Sequence, residues 1–405
     1  MKIEIDKIKF IKDIYPRAEI DNTTVNRYRT AIDKLPKIVI TKNFELIDGY
    51  HRLVAHKIEG RKEIEVEIRD VKDPLIEAIK LNSTHGFQLS IDDKKRLSEK
   101  LYREKRLNEK EVAELLSVSQ PTISNWLKDV VKEVKERQKE EIYNLWLNCR
   151  TQEEIAERVG LTQKRISEIL TDIRNINSNK LYIPSNLQLY NVWKVFSLDE
   201  EQLKYPGQLP LDLVENIVYY YSEPFDVVLD PMAGSGVTKT ACKNLHRRYL
   251  LYDISPIRED INIEKNDVLS GFPERVSKFH PSLIILDPPY YSLKKEYVQN
   301  EFNKSYSSFL NAMKITLSNC LKVLKKNGKI ALILKPMNEK LFEGDWYDMT
   351  IDCVNIAKKV RLNLIKRIVA PLSTQQFDKP AQEITTAKEK KAMLNILRDI
   401  VIFES

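Results

Sequence analysis

Asp287-Pro288-Pro289-Tyr290 joins an acid, two rigid rings and an aromatic ring directly after an apolar run, Leu283–Leu286. The exocyclic amino group of a nucleobase is a poor nucleophile, because its lone pair is delocalised into the ring. A carboxylate at Asp287 can accept one of its N–H hydrogens. The carbonyl of Pro288, held by two adjacent rings, can accept the other. Two such acceptors draw the nitrogen toward a tetrahedral form and aim its lone pair at an electrophile, while Tyr290 offers a face for the base to stack on. Upstream, Asp230-Pro231-Met232-Ala233-Gly234-Ser235-Gly236 follows the run FDVVL and precedes a helix starting near Val237. Glycines at a strand-to-helix turn let the backbone approach a ligand closely. Asp253 ends the run RRYLLY, where a carboxylate can accept both hydrogen bonds of a ribose diol. Asp267 follows as a third acid, suited to the adenine side of a nucleoside.

These residues need a scaffold that brings them together. Phe225–Leu229, Arg248–Tyr252, Leu283–Leu286 and Lys329–Leu334 are short apolar runs separated by helical stretches. Such runs suit buried parallel strands covered by helices on both faces. The acids then fall at the carboxyl ends of successive strands, where open α/β sheets bind ligands.

From about residue 190 to the C-terminus the chain resembles the amino-methylating DNA methyltransferases that use S-adenosyl-L-methionine. DPMAGSG is similar to their cofactor motif and DPPY to their catalytic motif. The resemblance implies cofactor contacts at Asp230, Pro231, Met232, Ala233, Gly234, Gly236, Asp253 and Asp267, and catalysis by Asp287, Pro288, Pro289 and Tyr290. The stretch Tyr205–Pro210 resembles the segment that closes over the methionine end of the cofactor, which adds Gln208. No Pro-Cys dipeptide occurs, so the covalent thiolate route to carbon-5 of cytosine lacks its nucleophile. In the family, Asp at the head of the catalytic motif favours N6 of adenine, and Ser favours N4 of cytosine. N4 of cytosine and an RNA guanine stay open as alternatives, as does a DNA-binding regulator with an inactive methylase domain. About 50 residues separate the two motifs, too few for a large inserted recognition domain.

Recognition is therefore expected in the loops after Tyr290, such as SLKKEYVQNEFNKSY, and in two helical units. Glu111–Leu127 (EVAELLSVSQPTISNWL) recurs as Glu154–Leu170 (EIAERVGLTQKRISEIL), offset by 43 residues. Each copy has the build of a helix-turn-helix. Ala113 and Ala156 are small where two helices cross, and Ile123 and Ile166 plug the hairpin. Gln120, Thr122, Asn125, Gln163, Lys164 and Arg165 start or line the second helix of each copy, where side chains reach the major groove or phosphates.

At the front, Lys37–Ile40, Glu45–Ile47 and Glu63–Ile68 read as strands and Arg52–Ile58 as a helix. Asp48-Gly49-Tyr50-His51-Arg52, followed by Leu81-Asn82-Ser83-Thr84-His85-Gly86, resembles the N-terminal domain of ParB-type partition proteins and sulfiredoxins. The resemblance implies nucleotide or phosphate contact at Gly49, His51 and Arg52. Tyr50 stands where sulfiredoxin needs its cysteine, which argues against that activity.

The expected architecture is α/β: a Rossmann-like methyltransferase domain over 185–405, preceded by an α+β ParB-like domain over 1–90 and an all-α helix-turn-helix region over 91–180. Asn175–Gln188 is polar and reads as a linker. Among 405 residues, 42% are hydrophobic and 31% charged, with only ten glycines, which excludes collagen-like and low-complexity chains. Four scattered cysteines without a C-x-x-C pair argue against a zinc ribbon or disulfide scaffold, and no metal site is expected. The N-terminus has no apolar core of a signal peptide and no run is long enough to span a bilayer, so a cytoplasmic protein without a membrane partner is expected. A net charge of +7 is compatible with double-stranded DNA as partner. A homodimer and a nucleotide at the front domain remain open.

Overall fold

The computed structural model describes residues 1–84, 89–178, 182–194, 196, 208–258, 261–289, 301–302, 304–334, 348–371, 381–389, 391 and 396–405. The chain forms two compact units, Met1–Gln138 and Lys139–Ser405.

In the first unit, β1 (Lys2–Glu4), β2 (Ile38–Thr41), β3 (Leu46–Asp48) and β4 (Glu63–Arg69) form a sheet of order β1-β4-β2-β3. The alternation in β4 turns Ile64 and Val66 inward and its glutamates outward. Helix α1 (Asn22–Arg29) is capped by Asp21, whose carboxylate accepts from the Thr23 and Thr24 amides at 3.1 Å. Helix α2 (Tyr50–Ile58) starts from Gly49. Helices α3 (Pro74–Thr84), α4 (Ile91–Glu104), α5 (Glu109–Leu116) and the start of α6 (Gln120–Leu147) enclose Leu97, Leu101, Leu116 and Ile123. The boundary between the units falls inside α6.

Both repeats are helix-turn-helix hairpins built by the same local code. Asn108 and Glu111 form a capping box on α5; Thr151 and Glu154 form the equivalent box on α7 (Gln152–Val159). Each first helix ends on a left-handed residue, Ser117 and Gly160. The next amides, of Val118 and Leu161, reach back to the carbonyls of Ala113 and Ala156 at 3.0 and 3.1 Å. Ser119 and Thr162 then cap α6 and α8 (Gln163–Ser178) through their hydroxyls. Ile123 and Ile166 are fully buried.

The second unit is a seven-stranded sheet of order β10-β11-β9-β8-β5-β6-β7, formed by β5 (Val227–Asp230), β6 (Arg248–Asp253), β7 (Glu264–Lys265), β8 (Leu283–Leu286), β9 (Lys329–Leu334), β10 (Asn363–Pro371) and β11 (Leu397–Glu404). Strands β5 to β9 are parallel, and β11 runs antiparallel to both β9 and β10. Successive strand residues feed opposite faces. Val228, Ile285 and Ile333 enter one core, while Val227, Leu286 and Leu332 enter the other. The first face is covered by α9 (Leu211–Tyr221) and α10 (Val237–Asn244), and the second by α12 (Tyr306–Val323) and α13 (Met349–Lys359); the short α11 (Glu274–Phe279) precedes β8. This is the doubly wound architecture expected from the apolar runs. No helix among the described residues is long and apolar enough to cross a membrane.

Two features differ from the expected layout. The second repeat is part of this core: Ile142, Trp146, Ile155, Ile166, Ile169 and Leu170 share the apolar cluster of the sheet's first face. The polar stretch after α8 is docked rather than free. Gln188 donates its amide to Asn216 Oδ1 at 2.7 Å, and Asn186 Nδ2 donates to Asp212 Oδ2 at 3.1 Å. Its prolines and amides read as a linker because such residues also satisfy buried polar groups when they are docked.

Trp146, 9% exposed, lies under the Arg248 guanidinium at 4.9 Å. Trp146→Ala is expected to cost about 3–5 kcal/mol of stability in the second unit. Urea unfolding followed by circular dichroism measures it, and a change below about 1 kcal/mol would show that the repeat does not share this core.

Candidate active site

The carboxyl ends of β5, β6 and β8 bring three acids together. Asp230 and Asp253 are the last residues of β5 and β6, and Asp287 follows the last residue of β8. Strand order reverses between β5 and β8, which opens a crevice at this end of the sheet. Asp230 is buried. It accepts from Thr238 Oγ1 at 2.5 Å and from the Met232 amide at 3.1 Å. Burial pushes its carboxyl up to about 7; the two hydrogen bonds oppose the rise, and the charges of Asp287 and Asp253 add to it. Thr238 was missed in the sequence, although its place two residues after Gly236, in the first turn of α10, was the available signal.

The Asp230–Gly236 turn is tied to β6 by two bonds. The Ala233 amide donates to the Tyr252 carbonyl, and the Gly234 amide donates to Asp253 Oδ2, both at 2.9 Å. Asp253 Oδ1 accepts from the Ser255 amide at 2.9 Å. A carboxylate has about four acceptor positions, so Asp253 retains capacity for a diol. Gly236 has φ +82°, and a Cβ there would meet Ile261 Cγ2 at 2.8 Å. Gly234 has φ +50° with nothing among the described residues within 4 Å of a Cβ position. Asp267 caps the turn after β7, accepting from the Leu269 amide at 2.9 Å. Asn266 ties β7 to β6 by donating its amide to the Asp253 carbonyl at 2.9 Å. Pro231, Met232 and Ala233 form the turn's first leg, and Pro288 and Pro289 continue from Asp287. Tyr290, the loop after it and Tyr205–Gly207 lie outside the described residues.

Gln208 is described, and its Oε1 is buried without a hydrogen-bond partner among the described residues. A buried orphan acceptor calls for a donor, such as a ligand ammonium group.

The remaining predicted residues lie elsewhere. Gln120, Asn125, Gln163, Lys164 and Arg165 are exposed, and Thr122 is half-buried against Ser119. In the front unit, a cavity of about 460 Å³ is lined by Gly49, His51 and Arg52 together with Arg17, Tyr50 and Asn82. Arg52 turns its fork into the protein, donating to Asp48 Oδ2 at 2.5 Å and to the carbonyls of Pro36 and Lys37 at 3.0 and 2.7 Å. His51 Nε2 accepts from the Asp21 amide at 3.0 Å, and burial together with the nearby Arg17 charge lowers its pKa. Arg17, linked to Asn82 Oδ1 at 3.1 Å, was not singled out in the sequence.

The DNA methylase family model matches residues 37–264, more than half of the chain. The chain belongs to the DNA methylase family. The match takes in the turn Asp230–Gly236 and Asp253 and stops short of Asp267 and Asp287. The Type II methyltransferase M.BglII of Bacillus subtilis is 35% identical over 107 residues, covering 24% of this chain and 29% of that protein. M.HpaI of Haemophilus parainfluenzae is 30% identical over 148 residues, covering 34% and 43%. The chain thus spans less than half the length of these relatives. The crystal structure of the chromosome-partitioning protein ParB from Caulobacter crescentus aligns with 42% of this chain and 99% of its own, at 13% identity and a TM-score of 0.26. That likeness is too distant to assign the front region a fold. The cofactor that goes with the family is S-adenosyl-L-methionine. The residues at the strand ends fit it: a glycine turn clear of the described residues and a carboxylate at Asp253 with acceptor capacity left.

In the unfolded chain Asp230 ionises near 3.8 and in the fold near 7. The stability contributed by its protonated form is therefore complete below the unfolded value and is lost as pH rises through about 7. Asp230→Asn is expected to reduce the drop in melting temperature between about pH 4 and about pH 8 relative to wild type. Differential scanning calorimetry reads this, and an unchanged drop would show that Asp230 is not held protonated.

Proposed function

We propose that this chain is a site-specific DNA methyltransferase that moves a methyl group from S-adenosyl-L-methionine to the exocyclic N6 amino group of adenine in double-stranded DNA. The observation that carries this reading is the meeting of Asp230, Asp253 and Asp287 at the ends of adjacent parallel strands, with Asp287 leading into Pro288-Pro289. The cofactor, when bound, supplies an electrophilic methyl carbon on a sulfonium. Asp253 holds its ribose, Asp267 its adenine side and Gln208 its amino acid end. Asp287 accepts one N–H of the target amino group and the Pro288 carbonyl accepts the other. Tyr290 stacks on the base, which must leave the duplex to reach this crevice.

The supporting modules follow from the same reading. The helix-turn-helix region supplies DNA contacts, and the front unit is a ParB-like domain whose cavity takes a phosphorylated ligand. The named relatives are Type II methyltransferases, which supports a place in restriction-modification for this chain.

Asp287→Ala is expected to lower methyl transfer by about 10²–10³ or more, because it removes a group matched to the transition state. Cofactor affinity, read by calorimetry, stays within a few-fold. Turnover near wild type in a radiolabelled methyl assay would remove Asp287 from catalysis. Mass spectrometry of the digested product then assigns the base: N4-methylcytosine would correct it and keep the mechanism, and methylated guanine in RNA would overturn the substrate class. A wild-type chain that binds no S-adenosyl-L-methionine would favour a DNA-binding regulator.

A further inference from the structure

The two repeats share a local code but not their surroundings. The first is closed by helices alone, α3 to α6. The second is fastened to the catalytic sheet chiefly at the amino ends of β5 and β6, with one further link through Arg275 of α11, which donates to the Asn148 and Cys149 carbonyls at 3.1 and 2.9 Å and to Glu264 Oε1 at 2.9 Å. Tyr143 Oη meets His246 Nδ1 at 2.6 Å. Arg174, in the second half of α8, places its guanidinium 5.8 Å from the Phe225 ring centre. The Tyr182 ring lies tilted against His246 with ring centres 3.9 Å apart, and its hydroxyl donates to Asn177 Oδ1 of α8 at 2.8 Å. Arg248 Nε donates to the Trp146 carbonyl at 3.2 Å. Phe225 and His246 precede β5 and β6, and Arg248 is the first residue of β6. Asp230 and Asp253 are the last residues of those same strands. Six residues of strand put the two ends of β6 about 17 Å apart.

The exposed start of α8 is also chemically occupied. Gln163 Nε2 donates to Glu153 Oε1 at 2.6 Å, and Arg165 Nη1 pairs with Glu168 Oε2 at 2.9 Å. Two of its three candidate readers are thus engaged by carboxylates, which also repel phosphate. In the first repeat Gln120 and Asn125 are exposed and show no side-chain hydrogen bond among the described residues.

We propose that the repeats have divided their labour: the first reads the bases of the recognition sequence, and the second is a brace on the amino ends of β5 and β6 that takes no part in base reading. This rests on the proposed methyl transfer. A target base must enter at the carboxyl ends of the strands, so the duplex carrying it lies across that end. A helix reads a groove only by entering it. An element fastened chiefly at the opposite end of β5 and β6 holds the sheet that carries Asp230 and Asp253 without entering the groove of the duplex they serve, and any contact it makes is to phosphate.

The test uses the full chain in two triple variants, Gln120→Ala/Thr122→Ala/Asn125→Ala and Gln163→Ala/Lys164→Ala/Arg165→Ala, with circular dichroism to verify folding. DNA from cells expressing each is sequenced with modification detection. The first variant is expected to lose discrimination against one-base-changed sites by roughly tenfold or more. The second is expected to mark the wild-type sequence with its discrimination unchanged within about twofold. A changed or relaxed motif in the second variant overturns the brace, and an unchanged motif in the first overturns its role as reader. If a variant fails to fold, the single changes Asn125→Ala and Lys164→Ala carry the same comparison. A wild-type chain that leaves no mark defeats the methyl transfer instead. Selection and sequencing of bound random duplexes then judges the two variants by the same criteria.

Discussion

The second unit is organised around a carboxylate that burial disfavours. Asp230 sits at the end of β5 with its charge desolvated and two other aspartates close enough to raise its pKa further. Two donors oppose this, the Thr238 hydroxyl and the Met232 amide, and both come from the turn and helix that Asp230 itself introduces. The glycine turn, the start of α10 and the end of β5 are therefore one construction. Three carboxyl groups at one strand edge make one another's ionisation costlier, and they suit a ligand that carries a positive centre. Parallel strands make the arrangement available, because their carboxyl ends lie together on one edge and reversal of strand order leaves a gap there.

The residues of the crevice were legible because each strand-end acid follows an apolar run that had to be a buried strand. Leu283–Leu286 and Lys329–Leu334 match β8 and β9 residue for residue. The runs at β5 and β6 were placed within two residues of their observed ends. Strands β10 and β11 were not foreseen. The first has Asn363–Arg367 exposed on the sheet edge, and the second carries a buried Arg398–Asp399 pair near its start, so neither opens as an apolar run. Asp399 is held by Arg367 at 2.8 Å and by Thr350 at 2.8 Å, partners 32 and 49 residues away in sequence. Asp399 is satisfied only by tertiary contacts, and no local pattern reports them.

The repeats show the same limit from the other side. Their capping boxes, left-handed ends and plugging isoleucines are local, and all of them were encoded at a fixed offset. What each hairpin packs against is not local. Leu116 and Leu127 meet α4, whereas Trp146 and Leu170 meet the sheet core. A helical pattern states that one face is buried and is silent on the partner. The polar stretch after α8 misled for a related reason. Asn186 and Gln188 are residues that turn chains in solvent, yet here they satisfy Asn216 and Asp212 of α9.

Two glycines show how one cue can carry opposite meanings. Gly49 and Gly234 both follow a strand, both have positive φ and both lie just ahead of a helix. At Gly49 a Cβ would lie 2.5 Å from Ile38 Cγ2, so the missing side chain lets α2 close against β2. The neighbouring Arg52 is drawn into the same packing by Asp48 and two backbone carbonyls. At Gly234 nothing among the described residues lies within 4 Å of the Cβ position. There the positive φ turns an amide onto Asp253 while the glycine's own side stays open. Glycine in the first turn serves the protein's interior, and in the second it leaves its side clear of the described residues. Arg17, Lys37 and Arg69 line the front cavity beside Arg52, so that space carries cations in addition to the engaged Arg52 fork.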